Sequence, residues 1–185
     1  MTLEDVFARL SSHLIEGLMF HDQLSDYFGF LSLRGYETCH KYHYLSESLS
    51  YKNTNSYYLR YYNKLIREEK PNNPSVIPQS WYKFTRQDVD ITTKKNAIQA
   101  GFVKWVTWER DTKSLYEALY TELVNLGNID ASLFVADLIR DVSEELVEAE
   151  QYLTDLETDG YNISDIIIRQ SELEHRYNKK IAKLF

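Results

Sequence analysis

Residues 106–150 read VTWERDTKSLYEALYTELVNLGNIDASLFVADLIRDVSEELVEAE, and this stretch decides the fold. On both sides of Gly127, apolar residues recur at intervals of three and four, the spacing that places them on one face of an α-helix. Gly127 fits the end of the first helix, because glycine readily adopts the left-handed backbone that closes many helices. The stretch therefore predicts two long amphipathic helices joined by a short turn.

The same periodicity extends outward and predicts five helices in all. The first begins at Thr2, a good N-cap with Asp5 three residues further on, and a tight corner near Tyr27–Gly29 follows it. The expected spans are about 2–26, 30–49 with an extension to residue 70 across a weak point at 53–55, 92–127, 130–159 and 163–184.

One long connection separates the second helix from the third. Its prolines exclude a regular helix, and we expect its aromatic side chains to pin it to the bundle. The prolines are Pro71, Pro74 and Pro78, and the aromatic residues are Trp81, Tyr82 and Phe84. The chain is thus expected to form one domain, divided into a first hairpin (1–70), a crossover (71–91), a second hairpin (92–159) and a fifth helix (160–185).

Composition excludes several classes of protein. The chain has 185 residues and a net charge of −7, which argues against nucleic acid and an anionic membrane surface as partners. It shows no apolar run long enough to span a bilayer and no basic-then-apolar leader pattern. The single cysteine, Cys39, rules out an internal disulfide and suits a reducing compartment. We therefore expect a cytoplasmic protein.

A Glu-x-x-His step, Glu37 to His40, stands out in the second helix. Side chains three residues apart share a helix face, so both can reach one point. Carboxylates and histidines directed into a helical bundle build carboxylate-bridged two-metal sites, and iron or manganese accepts both ligand types. The spacing alone is not specific. Glu172 and His175 repeat it in the fifth helix, away from the apolar stripe, where both should face water.

Two further carboxylates interrupt the apolar stripes of the second hairpin. Glu109 lies about 19 residues before the turn and Glu145 about 17 after it, so a rise of roughly 1.5 Å per residue places them at similar heights. Two facing buried carboxylates repel each other unless a proton, a base or a metal neutralises them. The alternative is that both reach the rim of the bundle or pair with a lysine or arginine.

The first two helices do not decide whether a metal site exists. Glu16 matches His40 in its distance from the corner between their helices, but it lies off the apolar face. His21 lies near the centre of that face, where a histidine is more often a hydrogen-bonded core residue. The second helix has one aliphatic face and one face that carries Glu37 and His40. Only a packing that covers both faces, as in a five-helix arrangement, would bury the second.

Three stretches resemble helices of the ferritin-like superfamily. FLSLRGYETCHKYHYL (Phe30–Leu45) is similar to the second ferritin helix, where Glu-x-x-His supplies ligands, VTWERDTKSLYEALY (Val106–Tyr120) to the third and SLFVADLIRDVSEELVEAE (Ser132–Glu150) to the fourth. The resemblance implies an all-α, ferritin-like four-helix bundle with one long crossover and a fifth, C-terminal helix. It also implies a di-metal centre of iron or manganese, whose candidate ligands are Glu16, Glu37, His40, Glu109, Asp141, Glu144 and Glu145.

A looser resemblance concerns HLIEGLMFHDQLSDYFGFLSLRGY (His13–Tyr36), which is similar to small helical proteins encoded by phages and prophages of Gram-positive bacteria. It implies the same ferritin-like fold but no particular activity.

The sequence leaves two functions open. The first hypothesis is a bundle without a cofactor that acts through a protein partner or as a homo-oligomer, with tyrosines of the second helix such as Tyr58 on its surface. The alternative is a protein that binds a di-metal centre of iron or manganese, or that oxidises iron. Glu37, Glu109 and Glu145 would then chelate or bridge the metals, and His40 would be a terminal ligand.

Overall fold

The computed structural model describes residues 1–67, 70–72, 75–77, 85, 87 and 89–184, and the regular structure in this part of the chain is helical. Five α-helices follow one another: α1 (Leu3–Phe30), α2 (Arg34–Tyr62), α3 (Ile91–Asn125), α4 (Ile129–Thr158) and α5 (Ile163–Ile181). The predicted number and order of helices are confirmed. Within the described ranges, no helix combines the length and apolarity needed to span a bilayer.

Two of the predicted helix ends are confirmed. The Thr2 hydroxyl accepts a hydrogen bond from the Asp5 backbone N–H (3.2 Å), and the Asp5 carboxylate accepts one from the Thr2 N–H (2.9 Å). This reciprocal pair satisfies two N–H groups that the first turn of α1 would otherwise leave unpaired. Gly127 has a φ of 68° immediately after the end of α3, as expected for a glycine that closes a helix.

The corner between α1 and α2 lies later than predicted. Tyr27 and Phe28 are buried in the core as part of the helix, so α1 continues to Phe30. The predicted corner at residues 27–29 is therefore wrong. The chain reverses after α1 instead, where Ser32 has a φ of 61°.

The end of α2 also differs from the prediction. The helix runs without a break through residues 53–55, where Thr54 is fully buried against the bundle. It ends at Asn63, which has a φ of 52° and donates its N–H to the Leu59 carbonyl. Asparagine is one of the few residues that adopts this left-handed backbone readily, and it stops the helix there. The predicted extension beyond residue 49 is confirmed as far as Tyr62, and its continuation to residue 70 is wrong.

Two described residues of the crossover, Asn72 and Val76, lie against α1. The Asn72 N–H donates to the Glu16 carboxylate (2.7 Å), and the Val76 N–H donates to the Gln23 side chain (2.9 Å). Pro71 lies outside the helices, as predicted. The other residues expected to shape this segment lie outside the described residues: Pro74, Pro78, Trp81, Tyr82 and Phe84.

The packing of the helices decides which face of α2 is buried. α1 packs against α2 and α3, α3 packs against α4, and α5 packs against α2. α2 is thus covered on two sides, by α1 and by α5. This is the five-helix arrangement that the sequence requires if both faces of this helix are to be buried. Tyr36, His40 and His43 are buried on α2, while the ring of Tyr42 contacts that of Tyr177 on α5, with centroids 5.5 Å apart.

The apolar core consists of two clusters, one towards each end of the bundle. The change from one cluster to the other occurs at one level in all four helices of the bundle. It falls between Leu14 and Phe20 in α1, Tyr42 and Tyr51 in α2, Trp108 and Leu115 in α3, and Val142 and Leu146 in α4. The fold therefore positions a polar layer across its middle.

Candidate metal centre

The polar layer contains six titratable side chains, which we call the histidine–carboxylate cluster. They are His21 of α1, His40, His43 and Glu47 of α2, Glu109 of α3 and Glu145 of α4. The three imidazoles and Glu109 are essentially inaccessible to solvent, whereas Glu47 and Glu145 are half-buried. Charged groups are costly to bury unless they are paired or bind a metal, so this composition requires an explanation.

His21 and His40 form one side of the cluster. Their Nδ1 atoms lie 3.1 Å apart, so the Nδ1–H of one ring donates a hydrogen bond to the bare Nδ1 of the other, and the two rings are in different tautomers. Burial, followed by the nearby imidazole of His43, lowers the pKa of both rings well below the ordinary value. Both imidazoles are therefore neutral at physiological pH, the state in which a ring nitrogen can bind a metal ion.

Glu109 lies beside this pair. Its Oε1 accepts a hydrogen bond from the Trp105 indole N–H (2.8 Å) and lies 3.5 Å from His21 Nε2. Burial, and then the carboxylate of Glu145, raise the pKa of Glu109 to about 8. The carboxylate thus carries a proton at neutral pH unless a cation replaces it.

His43 and Glu145 form the other side. His43 Nδ1 lies 3.3 Å from Glu145 Oε1. Burial by itself would lower the pKa of His43, but the negative charge of Glu145 and contact with the Cys39 thiol outweigh it, and the pKa is raised well above the ordinary value. This imidazole is the one cation among the six side chains of the cluster.

Glu47 reaches the cluster because α1 carries a glycine opposite it. A Cβ atom on Gly17 would lie 3.0 Å from the Glu47 carboxyl carbon, so any larger residue would displace this side chain. Burial raises the pKa of Glu47 well above its ordinary value, and the charges of Glu145 and Glu109 raise it further. The three carboxylates therefore lie close enough to repel one another.

Several imidazole nitrogens of the cluster lack hydrogen-bond partners among the described residues. His21 Nε2, His40 Nε2 and both ring nitrogens of His43 are buried without one. A buried polar atom left unpaired costs roughly 1–3 kcal/mol, so native proteins rarely keep several together. In the described part of the chain, no three His, Cys, Asp or Glu side chains are already gathered closely enough to hold a metal ion. The donor atoms are present, but in this conformation they are not arranged around a single point.

Of the seven predicted ligands, the structure brings His40, Glu109 and Glu145 together. Glu37 does not join them. Helical side chains lean towards the start of their helix, so Glu37 reaches back to α1, where its carboxylate lies 3.1 Å from the Cβ position of Gly29.

The other three predicted ligands also lie outside the cluster. Glu16 faces the crossover, where it accepts the Asn72 N–H and lies 3.6 Å from His13. Asp141 and Glu144 are exposed on α4, and Asp141 pairs with Arg140 at 3.5 Å.

Sequence reasoning missed half of the cluster. His43 and Glu47 follow His40 at intervals of three and seven, which places all three on one helix face. That spacing was a usable signal, but the sequence did not show which face of α2 is buried. His21 lay on the apolar face of its helix and was expected to be an ordinary core residue.

The other histidine of α1, His13, is a hydrogen-bonded core residue. His13 Nε2 lies 2.8 Å from the Thr112 hydroxyl, and its ring stacks on Trp108 with centroids 4.8 Å apart. Burial lowers its pKa to about 4, so this ring is neutral. Glu172 and His175 are exposed on α5, as predicted.

Solved structures of ferritins are similar to this chain in fold. An engineered closed form of the Archaeoglobus fulgidus ferritin has a TM-score of 0.73 and 12% identity, over 94% of this chain and 96% of that chain. An open-pore ferritin from the same archaeon has a TM-score of 0.72 and 13% identity, over 92% and 93%. A PmFTN variant soaked in iron has a TM-score of 0.66 and 11% identity, over 91% and 97%.

These matches establish the fold of the chain and leave its activity open. No family model matches the sequence, and no curated protein matches it at a significant level. The predicted architecture, an all-α ferritin-like four-helix bundle with a fifth C-terminal helix, is confirmed.

Proposed function

We propose that this protein binds transition-metal ions, iron or manganese, at the histidine–carboxylate cluster. The observation that supports the proposal is the set of buried imidazole nitrogens without hydrogen-bond partners, beside one buried and two half-buried carboxylates from three helices. A divalent cation would give these nitrogens a partner and would replace the protons that otherwise neutralise Glu47 and Glu109. Iron and manganese accept this mixture of carboxylate and imidazole ligands.

Each residue of the cluster would have a distinct part in binding. Glu109 and Glu145 would supply carboxylate oxygens from the second hairpin, and Glu47 a third from α2. His21 and His40 would supply imidazole nitrogens as neutral rings, and His43 would do so once it has released its proton. Trp105 donates to Glu109 and would fix the orientation of that carboxylate, the usual task of a residue behind a ligand.

The proposed ligand set modifies the one expected from the sequence. It keeps three of the seven predicted residues and adds His21, His43 and Glu47. The four left outside are Glu16, Glu37, Asp141 and Glu144. A bound iron or manganese pair would supply redox chemistry, and iron oxidation is the activity we propose to test once binding is established. A cytoplasmic location and a phage or prophage origin stay predictions.

The proposal is tested by the metal content of untagged protein purified from cells supplemented with iron and manganese. We expect close to two metal ions per chain in the wild type and a loss of most of them in Glu109→Gln/His40→Gln. The matched control is Glu172→Gln/His175→Gln, which removes the same pair of residue types from the exposed face of α5. Wild-type protein without metal, also after incubation with Fe²⁺ or Mn²⁺, would contradict the proposal.

A second candidate function is binding of a protein partner or self-association without metal. The surface expected for it is not where the sequence predicted, because Tyr58 is buried and packs against Phe7. Exposed apolar side chains instead gather at the turn between α3 and α4, and contiguous apolar surface often marks an interface. These side chains are 43–60% exposed and belong to Val124, Leu126, Ile129 and Leu133.

Light scattering distinguishes this function from metal binding. If the turn is an interface between copies, Ile129→Ser/Leu133→Ser should give a monomer where the wild type is an oligomer. Ile167→Ser/Ile168→Ser is the control, because these two side chains are equally exposed on α5. A monomeric wild type would exclude self-association through this turn.

A further inference from the structure

A cleft of about 280 Å³ opens on the side of the bundle, between α2, α4 and the end of α5. Four carboxylates line it, from Asp141, Glu144, Glu145 and Glu148, against one ammonium group, that of Lys180. A water molecule occupies about 30 Å³ in the liquid, so the cleft has room for about nine, more than the six of a hydrated divalent cation. Its charge and size both suit such an ion.

The inner wall of this cleft is part of the histidine–carboxylate cluster. His43 lines the cleft although its side chain is 1% exposed, and its Nε2 atom lacks a hydrogen-bond partner among the described residues. Glu145 lines the cleft as well, and its Oε1 lies 3.3 Å from His43 Nδ1 as an ion pair. The cleft therefore leads from solvent to a buried imidazole nitrogen without a partner, and the acidic side chains are not simply an exposed helix face.

Lys180 lies at the outer side of this cleft and, with the buried imidazole of His43, is one of two cations in its lining. Its Nζ is 3.3 Å from Glu148 Oε2, 4.5 Å from the ring centroid of Tyr177 and 5.2 Å from that of Tyr42. The other oxygen of Glu148 accepts a hydrogen bond from Arg176 (3.2 Å). Lys180 thus occupies the position where an incoming cation would meet the carboxylates, held by one ion pair and two aromatic rings.

We propose that this cleft is the route by which divalent cations reach the cluster, and that Lys180 controls it as a displaceable counter-charge. This inference rests on the proposed function. Exposed Asp141 and Glu144 attract the hydrated ion, which is passed to Glu145 and His43. The ammonium group of Lys180 opposes its arrival by like-charge repulsion until its contact with Glu148 is broken. This gives Asp141 and Glu144, which lie outside the cluster, a role in uptake.

The test is the rate at which metal-depleted full-length protein takes up Mn²⁺, followed by the loss of the electron paramagnetic resonance signal of the free ion. At low ionic strength, Asp141→Asn/Glu144→Gln should slow uptake by about tenfold, because steering by charge changes association rates by at least this factor. Lys180→Met should accelerate uptake several-fold, and Lys180→Arg, which keeps the charge, should behave as the wild type. The final amount of bound Mn²⁺ should be equal in all four proteins.

The matched control is Asp111→Asn/Glu172→Gln, which removes the same two charges from exposed positions that do not line the cleft. It should leave the rate near that of the wild type, whereas the effect of the cleft variant should shrink as salt is added. Equal rates for the cleft variant and this control would overturn the proposed route while leaving metal binding intact. An unchanged or slower rate for Lys180→Met would overturn the role of Lys180. Absence of Mn²⁺ binding by the wild type at equilibrium would overturn the proposed function and the route together.

Discussion

Glu109 shows most clearly the electrostatic conflict in the centre of this bundle. Its carboxyl group is 1% exposed, and its near neighbours are an indole N–H and the neutral imidazole of His21. The one imidazole that is favoured as a cation, His43, lies against Glu145 instead. A buried carboxylate without a cation of its own is held neutral by a proton, and the proton can be exchanged for a metal ion.

We predict that Glu109→Gln makes the stability of the metal-free protein less sensitive to a rise in pH from about 5 to about 8. The pKa of Glu109 is about 8 in the folded protein against an ordinary value of 4.5, so the folded state holds the proton more tightly than the unfolded chain. The stability that this group contributes is complete below about pH 4.5 and is lost as the pH rises towards about 8. Glutamine keeps an acceptor for the Trp105 indole but has no proton to lose.

Urea unfolding of metal-depleted protein at about pH 5 and about pH 8 measures the effect. The free energy of unfolding should fall less between these two values in Glu109→Gln than in the wild type. Glu172→Gln removes an exposed glutamate and should follow the wild type. Equal losses of stability in Glu109→Gln and the wild type would show that Glu109 is not the group that holds the proton.

The backbones of α2 and α5 approach each other closely at Gly35. A Cβ atom on Gly35 of α2 would overlap the backbone carbonyl of Gln170 on α5, so only glycine fits where the two helices cross. Arg169 fastens the start of α5 to the end of α4 through Asp155 (2.6 Å) and Asp159 (2.5 Å). This contact holds α5 over the outer face of α2 and so fixes which face of α2 points into the bundle.

We predict that Gly35→Ala destabilises the protein by about 1–3 kcal/mol, because a backbone group cannot move aside as a side chain can. The loss should appear as a lower urea midpoint and as faster hydrogen exchange in α5 than in α3. Gly17→Ala is the matched control, since its added methyl group meets the flexible end of Glu47. A loss of stability as large in Gly17→Ala as in Gly35→Ala would argue against backbone crossing as the cause.

The sequence predicts the positions of the helices more completely than the residues of the site, and the reason is physical. Caps such as Thr2 and Gly127 act within a few residues, so the sequence contains all the information that places them. Glu109 and Glu145 could be found because a carboxylate within an apolar stripe is a local anomaly. Glu37 was misplaced because angular position around a helix does not show how far a side chain leans along it.

The burial of His43 and Glu47 could not be derived from their helix alone. α2 has two faces of mixed character, and the inward face is decided by α5, which packs on the other side more than a hundred residues later in the chain. Such information is non-local. The seven-residue pattern from His40 to Glu47 becomes meaningful only once the outer face of α2 is known to be covered.

For the whole molecule, the polar layer is the place where all four bundle helices meet, so a bound metal ion would stabilise them together. A ligand that binds only the folded state adds about 2.7 kcal/mol at a concentration of 100 times its Kd. For a chain of this size, each kcal/mol raises the Tm by about 2–4 °C, which gives an increase of roughly 5–10 °C with saturating Mn²⁺. Glu109→Gln/His40→Gln should show no such increase, and Glu172→Gln/His175→Gln should show it in full.

Because the ligands come from α1 to α4, hydrogen exchange should slow in these four helices together. Slowing confined to the surface of α4 would instead mean that Mn²⁺ binds the exposed carboxylates of the cleft and does not enter the centre.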